Sequence, residues 1–271
     1  MTRGTCAGSL VDLVVKVGGK CLEDGASLAA FAREVAAARR EGVRLALVHG
    51  GGASLDARLA RLGIATERRE GLRLTPPAVM EEALAAFAGI ENKRLVAALA
   101  GAGVPAVGLC GADGGTLRAE RWRPAGFDPG RVGRVVGGDP RAVAALLEAG
   151  FVPVLAPVAL GGDGEFLNLN ADEAAAGLAR VLAAPLLALL SDVPAVLDAR
   201  GARIERLEAA STGALVDSGT IAGGMVPKVR SALEAASLAG ARVSIASWKE
   251  PSVLRRLAGG ERLGTTVEGK A

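Results

Sequence analysis

The sequence predicts an α/β fold in which helices cover both faces of a mostly parallel sheet. Several short apolar runs, such as 43–48 and 186–191, lack the polar alternation of a half-exposed strand. Such runs are typical of strands that are buried on both faces. Stretches with helical spacing of apolar residues separate the runs along the chain, and this alternation favours crossover connections between parallel strands. Glycines follow several of the runs, at the strand ends where such sheets bind ligands.

The predicted elements follow one another without a low-complexity linker. Strands are predicted at 11–17, 43–48, 104–109, 152–158, 186–191 and 243–246. Helices are predicted at 27–40, in a short segment that ends at 62, and at 77–100, 140–149, 172–182, 227–238 and 251–258. Ser27 and Asp139 are expected to cap two of these helices, and the long helix is expected to bend near Gly89. The segment 111–138 is interpreted as hairpins or an excursion, and a seam is expected near 183–185.

Composition and charge exclude several classes of protein. The 271 residues are 50% hydrophobic, which excludes a disordered chain. The 32 basic residues nearly balance the 29 acidic ones, and aromatic residues make up 3%, so no nucleic-acid binder is indicated. Three cysteines without paired spacing and a single histidine favour neither a disulfide framework nor a zinc site. No signal peptide or membrane span is recognisable, and a cytoplasmic protein is expected.

The first candidate for chemistry is Lys16, which lies inside an apolar strand. A lysine at a buried strand position is costly unless it is paired or functional. The alternative is that the strand is exposed at this point. Gly18 and Gly19 follow directly and favour function, because glycines let backbone N–H groups approach an anion closely.

The second candidate is the run His49 to Gly52, again between a strand and a helix. Three glycines before a helix N-terminus can bind a phosphate or a carboxylate. For His49 itself we predict a structural role. Further along, Arg73 stands between apolar neighbours. It can make a bidentate contact with a substrate carboxylate, although a surface arginine explains it equally well.

Polar residues also follow the later predicted strands. Asn170 before Asp172 and Glu173 reads as an ordinary helix cap, but capping does not explain Asn168. Lys228 falls in the first turn of a helix, where a cation is unfavourable to the helix dipole unless an anion binds there. The P-loop, the dinucleotide-binding glycine motif and the nucleophile elbow are all missing from the sequence.

The order and spacing of these motifs resemble the amino-acid kinase family from about residue 13 onward. The motifs that carry the resemblance are Lys16–Gly19, His49–Gly52, Gly71–Thr75, Asn92–Lys93, Asn168–Asp172, Leu190–Val193, Gly224–Val229 and Ala246–Trp248. The resemblance is strongest to the branch that uses ATP to phosphorylate the γ-carboxylate of N-acetyl-L-glutamate in arginine biosynthesis. The alternative is a sister branch that phosphorylates carrier-protein-linked 2-aminoadipate in lysine biosynthesis. A non-catalytic amino-acid sensor is a third possibility, which the retained lysines disfavour.

The resemblance implies a three-layer αβα sandwich with a mainly parallel central sheet. It implies a single kinase domain over 1–271, with an N-lobe at 11–183 for the amino acid and for dimerisation and a C-lobe at 184–271 for ATP. The implied catalytic residues are Lys16, Lys228 and Asp172, and the implied substrate-binding residues are Gly51, Gly52, Arg73 and Asn168. The implied nucleotide-binding residues are Gly18, Gly19, Asp192, Val193, Leu197, Thr220, Ile221 and Ala222.

The resemblance further implies Mg²⁺ bound through the phosphates, with no side chain as a metal ligand. It implies a homodimer that pairs through the helix near 87–100, and we expect no feedback by arginine. Lys20 departs from the family pattern, in which an apolar or small residue is usual at this position. Lys20 would place an extra cation near the phosphates.

Overall fold

The computed structural model of the chain describes residues 9–69, 72–221 and 225–268. The strands are β1 (Leu13–Val17), β2 (Leu45–His49), β3 (Arg68–Arg69), β4 (Leu72–Arg73), β5 (Ala106–Cys110), β6 (Arg118–Arg121), β7 (Gly133–Gly137), β8 (Val152–Ala156), β9 (Val158–Leu160), β10 (Phe166–Asn168), β11 (Leu186–Ser191), β12 (Arg206–Glu208), β13 (Arg242–Ser247) and β14 (Thr265–Glu268). The α-helices are α1 (Lys20–Glu23), α2 (Gly25–Arg40), α3 (Gly52–Arg61), α4 (Pro77–Leu84), α5 (Asn92–Gly101), α6 (Arg141–Glu148), α7 (Ala171–Val181), α8 (Ala209–Asp217), α9 (Met225–Ala239) and α10 (Val253–Ala258).

A central eight-stranded sheet has the order β12-β14-β13-β11-β1-β2-β8-β5. Neighbouring strands run parallel except for the antiparallel pair β13 and β14. The predicted α/β class with a mainly parallel sheet is therefore confirmed. Since β1 lies inside the sheet between β11 and β2, its carboxyl end is flanked by two further strand ends.

The side chains of β1 alternate between two apolar cores, one on each face of the sheet. Leu13, Val15 and Val17 pack with α2, α5 and α10, whereas Val14 packs with α7 and α9. Fully burying a valine or leucine stabilises the fold by about 1.5–3 kcal/mol relative to exposure, so four such residues fix the strand firmly. The alternation gives Lys16 the same face as Val14, which is the face that α7 covers.

Two smaller sheets flank the central one. The strands β10, β9, β6 and β7 form a four-stranded sheet, and β3 pairs with β4 in a short antiparallel hairpin. The antiparallel pair β6 and β7 falls inside the segment 111–138, which confirms hairpin structure there. None of the described helices has both the length and the apolar character needed to cross a bilayer.

Several local predictions were wrong. Asp24, not Ser27, caps α2: its carboxylate accepts from the Ser27 backbone N–H at 2.8 Å. Pro140 is itself the cap residue, so α6 starts one residue later than predicted. The predicted strand at 152–158 divides between β8 and β9, because Pro157 has no N–H to donate. The bend expected near Gly89 is a π-helical segment over Ala85–Glu91 that joins α4 to α5.

Candidate active site

The glycine loops that follow β1 and β2 touch each other through their backbones. The Gly50 N–H donates to the Val17 carbonyl at 2.9 Å. A Cβ on Gly50 would lie 3.5 Å from the Gly18 Cα. Gly19 adopts a φ of +57°, a region that favours glycine. The sequence therefore places backbone amides of two loops at the carboxyl end of the sheet.

Lys16 lies beside these loops and is paired. Its Nζ is 2.9 Å from the Asp172 Oδ1, and 21% of the lysine side chain and 20% of the aspartate side chain are exposed. A Cβ on Gly18 would lie 3.3 Å from the same Nζ, so the lysine side chain folds over Gly18. The carboxylate offsets the cost of placing an ammonium group on a core strand, and the alternative of an exposed strand is wrong.

Asp172 receives both an ion pair and a hydrogen bond. It lies in the first turn of α7, which Asn170 caps by accepting from the Asp172 N–H at 2.8 Å. The Ser231 hydroxyl on α9 donates to the Asp172 Oδ2 at 2.8 Å. Burial acts to raise the pKa of Asp172, but Lys16 and the Ser231 hydrogen bond outweigh it and lower the pKa below its ordinary value. The group is therefore an anion at neutral pH.

Lys228 pairs with Asp192, whereas the resemblance implies that Asp172 holds Lys228 together with Lys16. Its Nζ is 3.6 Å from the Asp192 Oδ1, and the Lys20 Nζ is 3.2 Å from the Asp192 Oδ2. The hydrogen bond from Lys20 and the charge of Lys228 lower the pKa of Asp192. The charge of Lys228 also lowers the pKa of Asp172. Lys16 and Lys228 thus converge on two neighbouring carboxylates from different parts of the chain.

Arg73 is buried, so the interpretation as a surface arginine is wrong. Its Nη1 is 2.6 Å from the Asp56 Oδ1 and donates to the Thr66 Oγ1 at 2.5 Å. Its Nη2 donates to the Gly52 carbonyl at 3.2 Å. The hydrogen bond from Arg73 lowers the pKa of Asp56. The guanidinium therefore connects the β3–β4 hairpin to the first turn of α3.

Asn168, the other polar candidate on the substrate side, lies at the end of β10. Its Nδ2 donates to the Thr75 Oγ1 at 3.1 Å. The Thr75 hydroxyl in turn donates to the Arg73 carbonyl at 3.0 Å. Thr75 therefore connects Asn168 to the strand that carries Arg73. The two candidates lie in the same region, although this connection is indirect.

A buried polar network supports the second glycine loop. The Nδ1 of His49 is 2.7 Å from the Gly50 carbonyl, and its Nε2 is 3.2 Å from the Asn92 amide nitrogen. Burial lowers the pKa of His49 to about 4, so the ring is neutral and donates from Nδ1. Lys93 donates to the Asn92 Oδ1 at 2.9 Å. His49 therefore has the structural role predicted for it.

The nucleotide-binding residues that the resemblance implies after residue 184 lie on two segments, one after β11 and one after α8. Asp192, Val193 and Leu197 follow β11, and the Val193 N–H donates to the Ser191 hydroxyl at 3.3 Å. Thr220 and Ile221 follow α8, and the Ile221 side chain is buried in the core. Ala222 lies outside the described residues.

Two cavities of small-molecule size border these residues. One, of about 470 Å³, is lined by Gly19, Gly51 and Gly52 and by the π-helical segment at Glu91. Another, of about 510 Å³, is lined by Asn170, Ser231 and the paired Arg134 and Glu173. Within the described residues, no three histidine, cysteine, aspartate or glutamate side chains gather as they would around a metal ion.

Sequence reasoning missed Ser231 and the carboxylate partner of Lys228. Ser231 lies three residues after Lys228 on α9, so both occupy the same side of the helix. That spacing was readable in the sequence. The contact between Lys228 and Asp192 was not, because it depends on how two distant segments pack.

Comparisons with known proteins agree on one family. A family model described as "Amino acid kinase family" matches residues 13–247. A protein of Aeromonas salmonicida named acetylglutamate kinase is 39% identical over 256 residues, covering 94% of this chain and 97% of its own length. A protein of Chloroflexus aurantiacus with the same name is 46% identical over 223 residues, covering 82% of this chain and 86% of its own. The solved structure of smu.665 from Streptococcus mutans has a TM-score of 0.76 and 26% identity, covering 94% of this chain and 98% of that chain.

Proposed function

The chain belongs to the amino acid kinase family, and from the names of its relatives we propose that it is an acetylglutamate kinase. The proposed reaction is phosphorylation by ATP of the γ-carboxylate of N-acetyl-L-glutamate, in arginine biosynthesis. Relatives that cover most of the chain carry this name. No observation favours the 2-aminoadipate alternative.

The observation that carries the proposal is the convergence of Lys16 and Lys228 on two adjacent carboxylates. A carboxylate that attacks ATP is already ionised and needs no general base. The obstacle is the repulsion between two anions. Phosphoryl transfer is therefore catalysed by positioning and by neutralisation of the charge on the transferring group. Two ammonium groups beside glycine amides are suited to both tasks.

In the proposed site Lys16 and Lys228 stabilise the charge on the transferring phosphoryl group. Asp172 positions Lys16 through the 2.9 Å contact. The amides of Gly18 and Gly19 donate to the phosphates, and the segments at Asp192–Leu197 and Thr220–Ala222 bind the rest of the nucleotide. Bound Mg²⁺, held through the phosphates, would supply further positive charge.

The acceptor is proposed to bind at the second glycine loop. Gly51 and Gly52 precede and begin α3, where free amide groups favour an anion. Arg73 donates to the Gly52 carbonyl at 3.2 Å, which places its guanidinium beside this loop, where it is proposed to bind the acceptor. Asn168 completes the proposed acceptor site from β10.

The proposal also covers the two lobes, the dimer interface and the cellular location of the enzyme. Residues 11–183 form the lobe that binds the acceptor, and residues 184–271 form the lobe that binds ATP. Two chains pair through the helical segment near 87–100, where Ile90 is exposed. The enzyme works in the cytoplasm.

Trapping of the acyl phosphate tests the function. Purified protein with N-acetyl-L-glutamate, MgATP and hydroxylamine should form the hydroxamate and release one ADP for each hydroxamate. Reactions with N-acetyl-L-aspartate or with 2-aminoadipate on its carrier protein are the matched controls. ATP consumption that does not depend on N-acetyl-L-glutamate, or a preference for the carrier-linked acceptor, would overturn the assignment.

A further inference from the structure

Lys20 has no role in the proposed mechanism, although it shares Asp192 with Lys228. It begins α1 directly after the first glycine loop. We propose that Lys20 is a third phosphate-binding cation, which leaves Asp192 for the β- and γ-phosphates when the nucleotide binds. The inference rests on the proposed function for the identity of the ligand and deepens it by assigning another residue to the same site.

The contacts of Asp192 support this assignment. One carboxylate oxygen lies 3.2 Å from the Lys20 Nζ, and the other lies 3.6 Å from the Lys228 Nζ. The single anion of Asp192 therefore lies between the two ammonium groups. A phosphate has the same charge sign and the same oxygen acceptors, so it competes with Asp192 for both donors.

Exposure makes the exchange easy. The Lys20 side chain is 74% exposed and that of Asp192 is 29% exposed. An ion pair in such surroundings contributes little to stability, because water solvates both groups and the long side chain loses rotamer freedom. Moving Lys20 from Asp192 to a polyphosphate therefore costs little stability, and the lysine then pairs with a larger negative charge.

The position of Lys20 in the chain keeps it at the site. Its backbone is joined to Gly19, whose φ of +57° turns the chain at the end of the loop. Gly19 also lines the cavity of about 470 Å³. The lysine side chain thus starts from the loop whose amides are proposed to bind phosphate, and it can reach a phosphate without any change in the fold.

The local charge balance favours a polyanion. The three lysines Lys16, Lys20 and Lys228 face the two carboxylates of Asp172 and Asp192. These five side chains carry three positive and two negative charges, a net charge of +1. Without Lys20 the same cluster is neutral. Lys20 therefore supplies the excess positive charge that attracts ATP.

Calorimetric titration of the full chain with ATP and with adenosine tests the assignment. Lys20→Met should bind ATP about ten-fold more weakly, as expected for one charged contact, and adenosine with unchanged affinity. Lys20→Arg should retain most of the ATP affinity. Arg33→Met, an exposed site on α2, removes the same charge at a distance and should bind ATP like the wild type. Thermal unfolding of each variant verifies that it folds.

The outcomes separate this inference from the proposed function. Equal ATP affinity of Lys20→Met and the wild type, or an equal loss with adenosine, overturns the role of Lys20 and leaves the kinase assignment standing. An ATP-specific loss in a protein that forms no hydroxamate supports the role of Lys20 and overturns the assigned acceptor. A wild type that binds no ATP overturns both.

Discussion

Two ion-pair clusters flank the proposed phosphoryl-transfer position, and they are built differently. Lys16 and Asp172 extend from a core strand and from a capped helix, and about one-fifth of each side chain is exposed. Asp192 follows β11, Lys20 follows the first glycine loop and Lys228 lies in the first turn of α9, and 42% of the Lys228 side chain is exposed. The first cluster is fixed before any ligand arrives, whereas the second can rearrange.

The difference suggests a division of labour. A preorganised charge stabilises a transition state without being reordered during the reaction. An exposed charge attracts the nucleotide and can follow it into the bound state. We therefore expect substitutions at the Lys16 cluster to change both turnover and stability, and substitutions at the Asp192 cluster to change nucleotide binding and turnover with little effect on stability.

The largest effect is expected for Lys16→Met. Loss of a preorganised charge should lower kcat by about 10³-fold. Asp172 would also keep a half-buried carboxylate without its ammonium partner, so the midpoint of thermal unfolding should fall. Hydroxamate formation and circular dichroism measure the two effects. Turnover within ten-fold of the wild type would remove Lys16 from the mechanism.

Lys228→Met should lower kcat by about 10²-fold, but it should leave the unfolding midpoint nearly unchanged. The reason is that an exposed pair contributes little to stability. The same two measurements apply, and Lys249→Met is the matched control for an exposed lysine at another position. A drop in stability as large as that of Lys16→Met would contradict the division between the clusters.

The two clusters also differ in how far the sequence predicts them. Strand periodicity places Lys16 on a buried strand, and the Asn170 cap places Asp172 in the first turn of a helix, but only the family resemblance implied that the two act together. The pairing of Lys228 with Asp192 depends on how α9 packs beside the segment that follows β11, and no periodicity encodes that. The burial of Arg73 against Asp56 was not predicted for the same reason, because Asp56 lies 17 positions away on another element.

The same limit explains the errors in the fold. The central strands were predicted because burial on both faces leaves a continuous apolar run. The strands β10, β12 and β14 were missed because each is only three or four residues long. The cap of α2 was misplaced because Asp24 and Ser27 are both good capping residues and they bond to each other.

A smaller effect is expected for Ser231→Ala. Loss of one hydrogen bond to a charged group should lower kcat/KM by about ten-fold. The pKa of Asp172 is held low in the folded protein, so its pairing is lost only as the pH falls through that value. Without the Ser231 donor this pKa rises, and the acid limb of the kcat/KM profile should move to higher pH.

Ser231→Thr keeps the hydroxyl and should restore the acid limb. Ser237→Ala, which removes an exposed hydroxyl from the same helix α9, should leave the profile unchanged. An unshifted acid limb in Ser231→Ala would mean that the serine only packs against α7.

The smallest effect is expected for Asp192→Asn, and it tests the comparison most directly. Because the pair with Lys20 is exposed, the free energy of unfolding should change by no more than about 0.5 kcal/mol. Asp172→Asn should lower it by about 1 kcal/mol or more, since Lys16 and Ser231 both lose a charged acceptor in half-buried surroundings. Urea unfolding at pH 7 measures both. Equal losses in the two variants would show that the clusters are equally rigid, and the proposed division of labour would fail.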